Sequence, residues 1–526
     1  MDLLPSDWGF IARYPTLAAL GFVLIAIASL TSLNRRRGPR KHLPPGPRGI
    51  PLLGNVSEII GDKWVTFTSL KEKYGSIMHL TLAGQDLIVL NDLKSASDLL
   101  DRKATITSHR PRNIVVGIMT GNLLITFLNP GEIWNRMRRA SHNGLRPSAV
   151  PLYHPALYRE AVSLAMKMLT EPSRMEWYGH IQRAVAGGAI RMIYGRSSDE
   201  DVKTLNEYVK RLTKSATSPG AYLVELLPWL RFFPAWMSPW KKMAESAFET
   251  DSTTFKKLFK ETKEKGMDRP SMVNSLTKNS ESLGLSEEEE YWLADGRYST
   301  GSQTIIDVLS WWLMAIILYP ESQKRAHEEI DSIVAKGRLP TFEDCERMTY
   351  MQAMVREVNR WRPIDPLGLP HTTSEDIWHE GFFIPKGSML IPNVWAINRD
   401  PKTFGPDAHH FNPSRHIDGI TGKLKPAPAD TKEEAHVSFG FGRRICVGRH
   451  FANKMLLINM VLLAWATKID SERGPDGQPI GFDVDGCIDE GVTVRPVPFP
   501  CSITPRFPGA VSMLQQALME LSSKDY

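Results

Sequence analysis

The chain has 526 residues, of which 42% are hydrophobic, ample for a large buried core and too long for a typical single small domain. Its formal charge of +6 is spread thinly, without zinc-finger spacing or a basic helix, and so leaves no footprint for nucleic acid. No low-complexity tract and no internal repeat is present, which excludes disordered, collagenous and repeat architectures.

Thr16 to Leu33, TLAALGFVLIAIASLTSL, carries no charge over its eighteen residues. As a helix it reaches about 27 Å, close to the hydrocarbon thickness of the endoplasmic reticulum membrane. RRRGPRK follows at Arg35 to Lys41, whereas only Asp2 and Arg13 precede the apolar run. A basic flank stays cytoplasmic. The expected order is therefore a short lumenal tail (1–15), one transmembrane anchor (16–33), a basic and Pro-rich linker (34–47) and a cytoplasmic domain (48–526). The alternative is a cleaved signal peptide with Ala26-Ile27-Ala28 as its processing site. The weakly basic amino-terminal region and the basic cluster after the run favour the anchor. On that topology Asn55-Val56-Ser57, a glycosylation pattern, faces the cytosol and stays unmodified. Cys345, Cys446, Cys487 and Cys501 are expected as thiols or ligands, and none has CxxC spacing for zinc.

HLPPGPRGIPLLGN cannot continue a helix and reads as a stiff spacer. Beyond it the chain reads as one large, mostly helical unit, with strand pieces at MHLTLAG near Met78 and DLIVL near Asp86. Ser286 followed by Glu289 predicts a helix start and Pro320 its far end, with about ten helical turns between. This helix is apolar except at TGSQTI, Thr300 to Ile305. Gly is a poor residue for a helix interior, and Ser, Gln and Thr prefer solvation there.

FGFGRRICVGRHFA, Phe439 to Ala452, places Cys446 just before a helix that begins near HFANKMLLINMVLLAW. The positive end of the helix dipole favours a thiolate. Arg443, Arg444 and Arg449 add positive charge, and Gly440, Gly442 and Gly448 allow tight turns and close approach to a large planar ligand. A lone cysteine is ordinarily a buried structural residue. The glycines and arginines at fixed offsets reverse that reading. The pattern F-x-x-G-x-R-x-C-x-G closely resembles the haem-binding loop of the cytochrome P450 family.

That resemblance implies a mainly α fold with small β-sheets, the cytochrome P450 fold, over residues 48–526. Carried over by position, Cys446 is the thiolate ligand of the iron of haem b, which pushes electron density towards oxygen and favours O–O cleavage. Arg444 would pair with a haem propionate, Phe439 would pack beside the sulfur, and Gly442 would shape the loop. Glu357 and Arg360 lie three apart on one helical face; in this family Arg415, from FNPSRH, locks onto such a pair and holds the cysteine loop. Trp134 and Arg138, in WNRMR, resemble the family's propionate-binding helix, and His371, in LPHTTSED, matches a further propionate contact.

The same resemblance accounts for TGSQTI. Thr300 and Gly301 would leave room for dioxygen, and Thr304 aligns with the oxygen-side threonine. Where the family usually has Asp or Glu, this chain has Gln303, whose amide can hold water but cannot exchange a proton as a carboxyl group does. Either protons arrive through water and another residue, or the enzyme has moved to a rearrangement or dehydration that needs no relay. The retained Thr304, Trp134, Arg138 and basic proximal face favour monooxygenation.

No acid occurs from Phe439 to Ile469, while Arg443, Arg444, Arg449 and Lys454 lie near the cysteine, a surface suited to an acidic electron donor. The resemblance names a membrane-bound NADPH–cytochrome P450 reductase, with cytochrome b5 as a further donor. Substrate contacts are expected from 110–121, from the residues before Gly301, from Ile364 to Pro370 and from Gly491 to Pro496. These are mainly apolar, as suits a lipophilic substrate arriving from membrane lipid. SHRPR, GFFIPKGSMLIPNVWAINRDP and PFPCSITPR are most similar to fungal members that oxidise terpenoid or polyketide skeletons in secondary metabolism. The competing class, a non-enzymatic haem electron carrier or gas sensor, would ordinarily use His or Met ligands and need no threonine in the long helix.

Overall fold

The computed structural model describes residues 38–523 apart from 52, 172–175, 218–221, 266–268 and 336. The expected anchor at 16–33 lies outside the described residues. The chain is mainly helical with small sheets, as expected.

The two anticipated strands are Ile77–Leu82 (β1) and Gln85–Leu90 (β2), antiparallel with Ile77 opposite Leu90. They are joined by Ala83 and Gly84, both at positive φ, the turn geometry whose twist matches paired strands. His371–Thr372 (β3) and Met389–Pro392 (β4) complete the sheet in the order β1-β2-β4-β3, β4 running parallel to β2. Side chains alternate across it. Met78, Leu80, Leu87 and Val89 join Phe67 on one face, while Ile77, Ile88 and Leu90 meet Val437 and Phe441 of the cysteine loop on the other. The sheet thus forms a backing for that loop.

The helices that build the site are Glu132–Leu145 (α1), His154–Thr170 (α2), Trp177–Tyr194 (α3), Glu287–Leu318 (α4), Thr349–Trp361 (α5) and Arg449–Ala466 (α6). α4 is the long helix. The hydroxyl of Ser286 accepts from the Glu289 amide at 3.2 Å, and the Glu289 carboxylate accepts from the Ser286 amide at 3.0 Å, a complete capping box. Four glutamates in its first turn face the positive end of the dipole. Its 32 residues span roughly 48 Å before Pro320 opens the next helix. Among the described residues α4 is the one helix long and apolar enough to cross a membrane, yet it is mostly buried inside the domain against α3 and other helices. Trp292, Trp311 and Trp312 are fully buried along it.

The polar interruption behaves differently from its flanks. Thr300, Gly301, Gln303 and Thr304 are only half-buried, whereas residues 291–298 and 305–316 are buried. The Thr300 hydroxyl donates to the Gly296 carbonyl at 2.9 Å and that of Ser302 to Tyr298 at 2.8 Å, so neither is left without a partner. All four cysteines are free. Asn55 is buried, its amide nitrogen donating to Pro47 at 3.3 Å and its oxygen accepting from Thr81 at 2.9 Å, so the glycosylation pattern is folded into the domain.

Because the capping box alone starts α4, Ser286→Ala is expected to lower stability by about 1 kcal/mol in urea unfolding without altering the spectrum of the folded protein.

Candidate active site

The cysteine loop is set by backbone constraints. Gly442 has φ +53, and a Cβ there would lie 2.1 Å from the Leu100 carbonyl oxygen, so only glycine passes. The Cys446 amide donates to the Phe439 carbonyl at 2.8 Å, closing the loop. Gly448 caps α6, and Cys446 lies two residues ahead of it rather than in the first turn. Burial pushes the Cys446 thiol up, against the Gly448 amide and the charges of Arg297, Arg138 and Arg449, and burial prevails. The helix end and arginines therefore do not by themselves make the thiolate that the sequence pattern suggests. A metal ion on the sulfur would, since a coordinating thiol is deprotonated outright. Arg297, four residues before Gly301 on α4, is a site residue that the sequence reading missed. It is 9% exposed, donates to the Ser141 hydroxyl, and its Nε has no partner. An arginine in the middle of an otherwise apolar helix was the available signal.

The predicted propionate contacts converge. Trp134 is buried, with the guanidinium carbons of Arg444, Arg443 and Arg138 at 4.6, 5.3 and 5.9 Å from its ring centre. Arg444 turns inward and donates to the carbonyls of Ser108, at 2.8 Å, and Leu128. Arg138 donates to Ile445. Arg110 is buried beside them and donates to Leu369 and Pro370, each at 2.7 Å. Burial, then Arg110 and Arg138, push the Arg444 guanidinium down to about 9. His371 Nδ1 lies 2.8 Å from the Thr107 carbonyl, and burial with Arg110 holds the ring at about 3, hence neutral. Arg138, Arg443 and Arg444 form no ion pair among the described residues. Crowded cations of this kind complement an anionic ligand.

One turn beyond Arg297 on the long helix stands the interruption of α4. A Cβ added at Gly301 would meet no atom within 4 Å, although its helix is packed on most sides. The Thr304 hydroxyl donates to the carbonyls of Thr300 at 3.2 Å and Gly301 at 3.1 Å. A soft sulfur donor, a cluster of arginines without an ion-pair partner among the described residues and open space at Gly301 fit haem b with its two propionates.

Behind the loop lies a buried ion cluster. Glu357 and Arg360 are both 0% exposed and paired at 2.7 Å, and Arg415 reaches the same carboxylate at 2.9 Å. The pair is thus fully buried, where such pairs are usually solvated. His416 Nε2, not anticipated, lies 2.8 Å from the other carboxylate oxygen. Arg360 donates to the Asn398 carbonyl at 2.8 Å, and the Asn398 side chain accepts from Val437 at 3.0 Å and donates to Ser438 at 3.0 Å. Ser438 adjoins Phe439, so the cluster is tied directly to the loop. Burial pushes the Glu357 carboxyl up, but Arg360 and His416 outweigh it and hold it at about 2.

One expectation needs correction. The proximal basic face is not built as anticipated: Arg444 points inward, Lys454 pairs with Glu346, and Arg449 lies 3.5 Å from Glu434. The exposed bases nearby are Arg443, Arg139 on α1 and Arg146 just past its end. Within 110–121, Arg110 is bonded to the backbone, and Val115 and Met119 pack against Val224, Ala244 and Ala247.

The fold and this site fit a haem-thiolate protein. The family model for cytochrome P450 matches residues 44–475. A cytochrome P450 monooxygenase of Armillaria gallica is 48% identical over 500 residues, covering 94% of this chain and 95% of its own. Cytochrome P450 monooxygenase 58 of Postia placenta is 40% identical, covering 94% of each chain, and cytochrome P450 monooxygenase iboC of Amanita muscaria is 35% identical, covering 96% and 97%. The chain belongs to the cytochrome P450 family and is a monooxygenase, for which haem and dioxygen are implied.

Removing one partner of a buried ion cluster leaves the others uncompensated, so Glu357→Gln is expected to cost about 3–5 kcal/mol and to lower haem content in the purified protein. Since Glu357 is held below its ordinary value of 4.5, its contribution is present above that pH and lost as pH falls towards 2. Thermal unfolding followed from pH 5 downward should show that loss in the natural protein and less of it in the variant.

Proposed function

We propose that this protein oxidises an apolar small molecule, of terpenoid or polyketide type in fungal secondary metabolism, with electrons from NADPH passed on by a membrane-bound reductase. Bound haem b supplies the redox chemistry that places one atom of O2 in the product and releases the other as water, consuming two electrons and two protons. Cys446 holds the iron, Gly442 and Phe439 shape its loop, and Trp134, Arg138, Arg444 and His371 receive the propionates. Glu357, Arg360 and Arg415 keep the loop in place. Gly301 leaves the oxygen side open, and Thr304, with Gln303 beside it, holds water at the polar interruption of α4.

The observation that carries the reading is the half-buried stretch at Gly301 and Thr304, uncrowded at Gly301, between the buried runs 291–298 and 305–316 of the same helix. A carrier or sensor has no use for it. The fungal relatives support the setting, and the apolar run at 16–33 supports a single-pass anchor in the endoplasmic reticulum with the domain cytoplasmic. An exposed apolar segment between α3 and α4, with Phe232 76% and Trp236 80% exposed, supports contact with the bilayer.

Inactivating the gene in its host and comparing extracts by mass spectrometry tests the assignment. The lost product should carry one more oxygen than the accumulated precursor, or fewer hydrogens after repeated oxidation; an isomer, or a difference of water alone, overturns it. For the electron donor, Arg139→Glu with Arg146→Glu should raise the reductase concentration needed for half-maximal turnover several-fold at low salt, with little change at high salt.

A further inference from the structure

Gln303 replaces the family's acid, yet an acid stands one turn away. The Gln303 amide nitrogen donates to the Asp307 carboxylate at 2.8 Å and to the Tyr178 hydroxyl at 3.2 Å. Asp307 is 0% exposed, and its second carboxylate oxygen has no partner. The neighbourhood then leads outward. Arg495 stacks on Tyr178 at 4.8 Å and pairs at 2.7 Å with Glu490, whose side chain is 31% exposed. Arg495 and Glu490 sit on the hairpin of Cys487–Asp489 (β5) and Val494–Pro496 (β6), which packs on α4, where Trp311 donates to the Val494 carbonyl at 3.0 Å.

We infer that Asp307 is the ionisable acid that position 303 lacks: a positioning residue, hydrogen-bonded to Gln303, that holds a proton close to Thr304, with Tyr178, Arg495 and Glu490 marking the side on which its surroundings open to solvent. In each cycle the protonated carboxyl releases its proton to water beside Thr304, becomes a carboxylate, and recovers a proton from solvent through water. No electrons move. The glutamine suits this task. Its amide can donate to the carboxylate and, turned over, accept from the carboxylic acid, so it pairs with both states. A carboxylate at 303 would instead repel Asp307 at i+4. Burial pushes the Asp307 carboxyl up to about 7, with Glu490 adding to it and with Thr493, Gln303 and Arg495 opposing. Both forms are therefore populated at neutral pH.

The inference rests on the oxygenase reading, and the test separates the two. Infrared difference spectra between pH 5 and 9, which do not depend on turnover, should show a protonated-carboxyl band that titrates near neutrality. That band should vanish in Asp307→Asn and shift in Glu490→Gln. With reductase and NADPH, Asp307→Asn should lower product formed per NADPH about a hundredfold, the low end of what a positioned general acid supplies, with more peroxide and a larger solvent isotope effect. Gln303→Leu, which leaves the acid but cuts its link, should uncouple in the same sense. Gln303→Asp combined with Asp307→Asn returns the acid to its usual place and should restore coupling. If the haem-loaded variants keep natural coupling and isotope effect, or the band persists in Asp307→Asn, the inference is wrong. If the natural protein yields no oxygenated product, the oxygenase reading fails instead.

Discussion

A carboxylate with no exposure to water must be surrounded by donors or it will not stay ionised. Glu357 meets this demand with Arg360, Arg415 and His416, and the consequence spreads through the domain. Satisfying Arg360 in turn fixes the carbonyl of Asn398, and the Asn398 side chain fixes Val437 and Ser438. From there the chain runs into the loop that presents Cys446. The sheet adds a second constraint, since Val437 and Phe441 pack on its inner face. The sulfur is therefore positioned by ion pairing on one side and apolar packing on the other.

The same logic, inverted, operates on the ligand side. Arg138, Arg443 and Arg444 crowd Trp134 without a carboxylate among them, a costly arrangement unless an anion arrives. Structure and cofactor are thus complementary in sign: the scaffold is neutralised internally, the pocket only by what it binds.

Much of this was legible in the sequence where spacing is local. The cysteine loop, the capping box of α4 and the pair Glu357–Arg360 are each encoded within ten residues. The orientation of Arg444 was not, because it depends on carbonyls of Ser108 and Leu128, far away in the chain. His416 was passed over beside Arg415 because a neighbouring histidine says nothing about which way its ring points. Asp307 is visible at i+4 from Gln303, but its burial and its connection through Tyr178 to Arg495 arise only when three distant segments meet.

The parallel pairing of β2 with β4 has a consequence for biogenesis. Residues 87–90 find their partners only at 389–392, so the sheet that backs the cysteine loop cannot form until most of the chain has left the ribosome. The early hairpin of β1 and β2 must wait with one edge unpaired. Its own Leu80 and the neighbouring Phe67 are apolar, so an interval of protection during synthesis is built into the order of the chain.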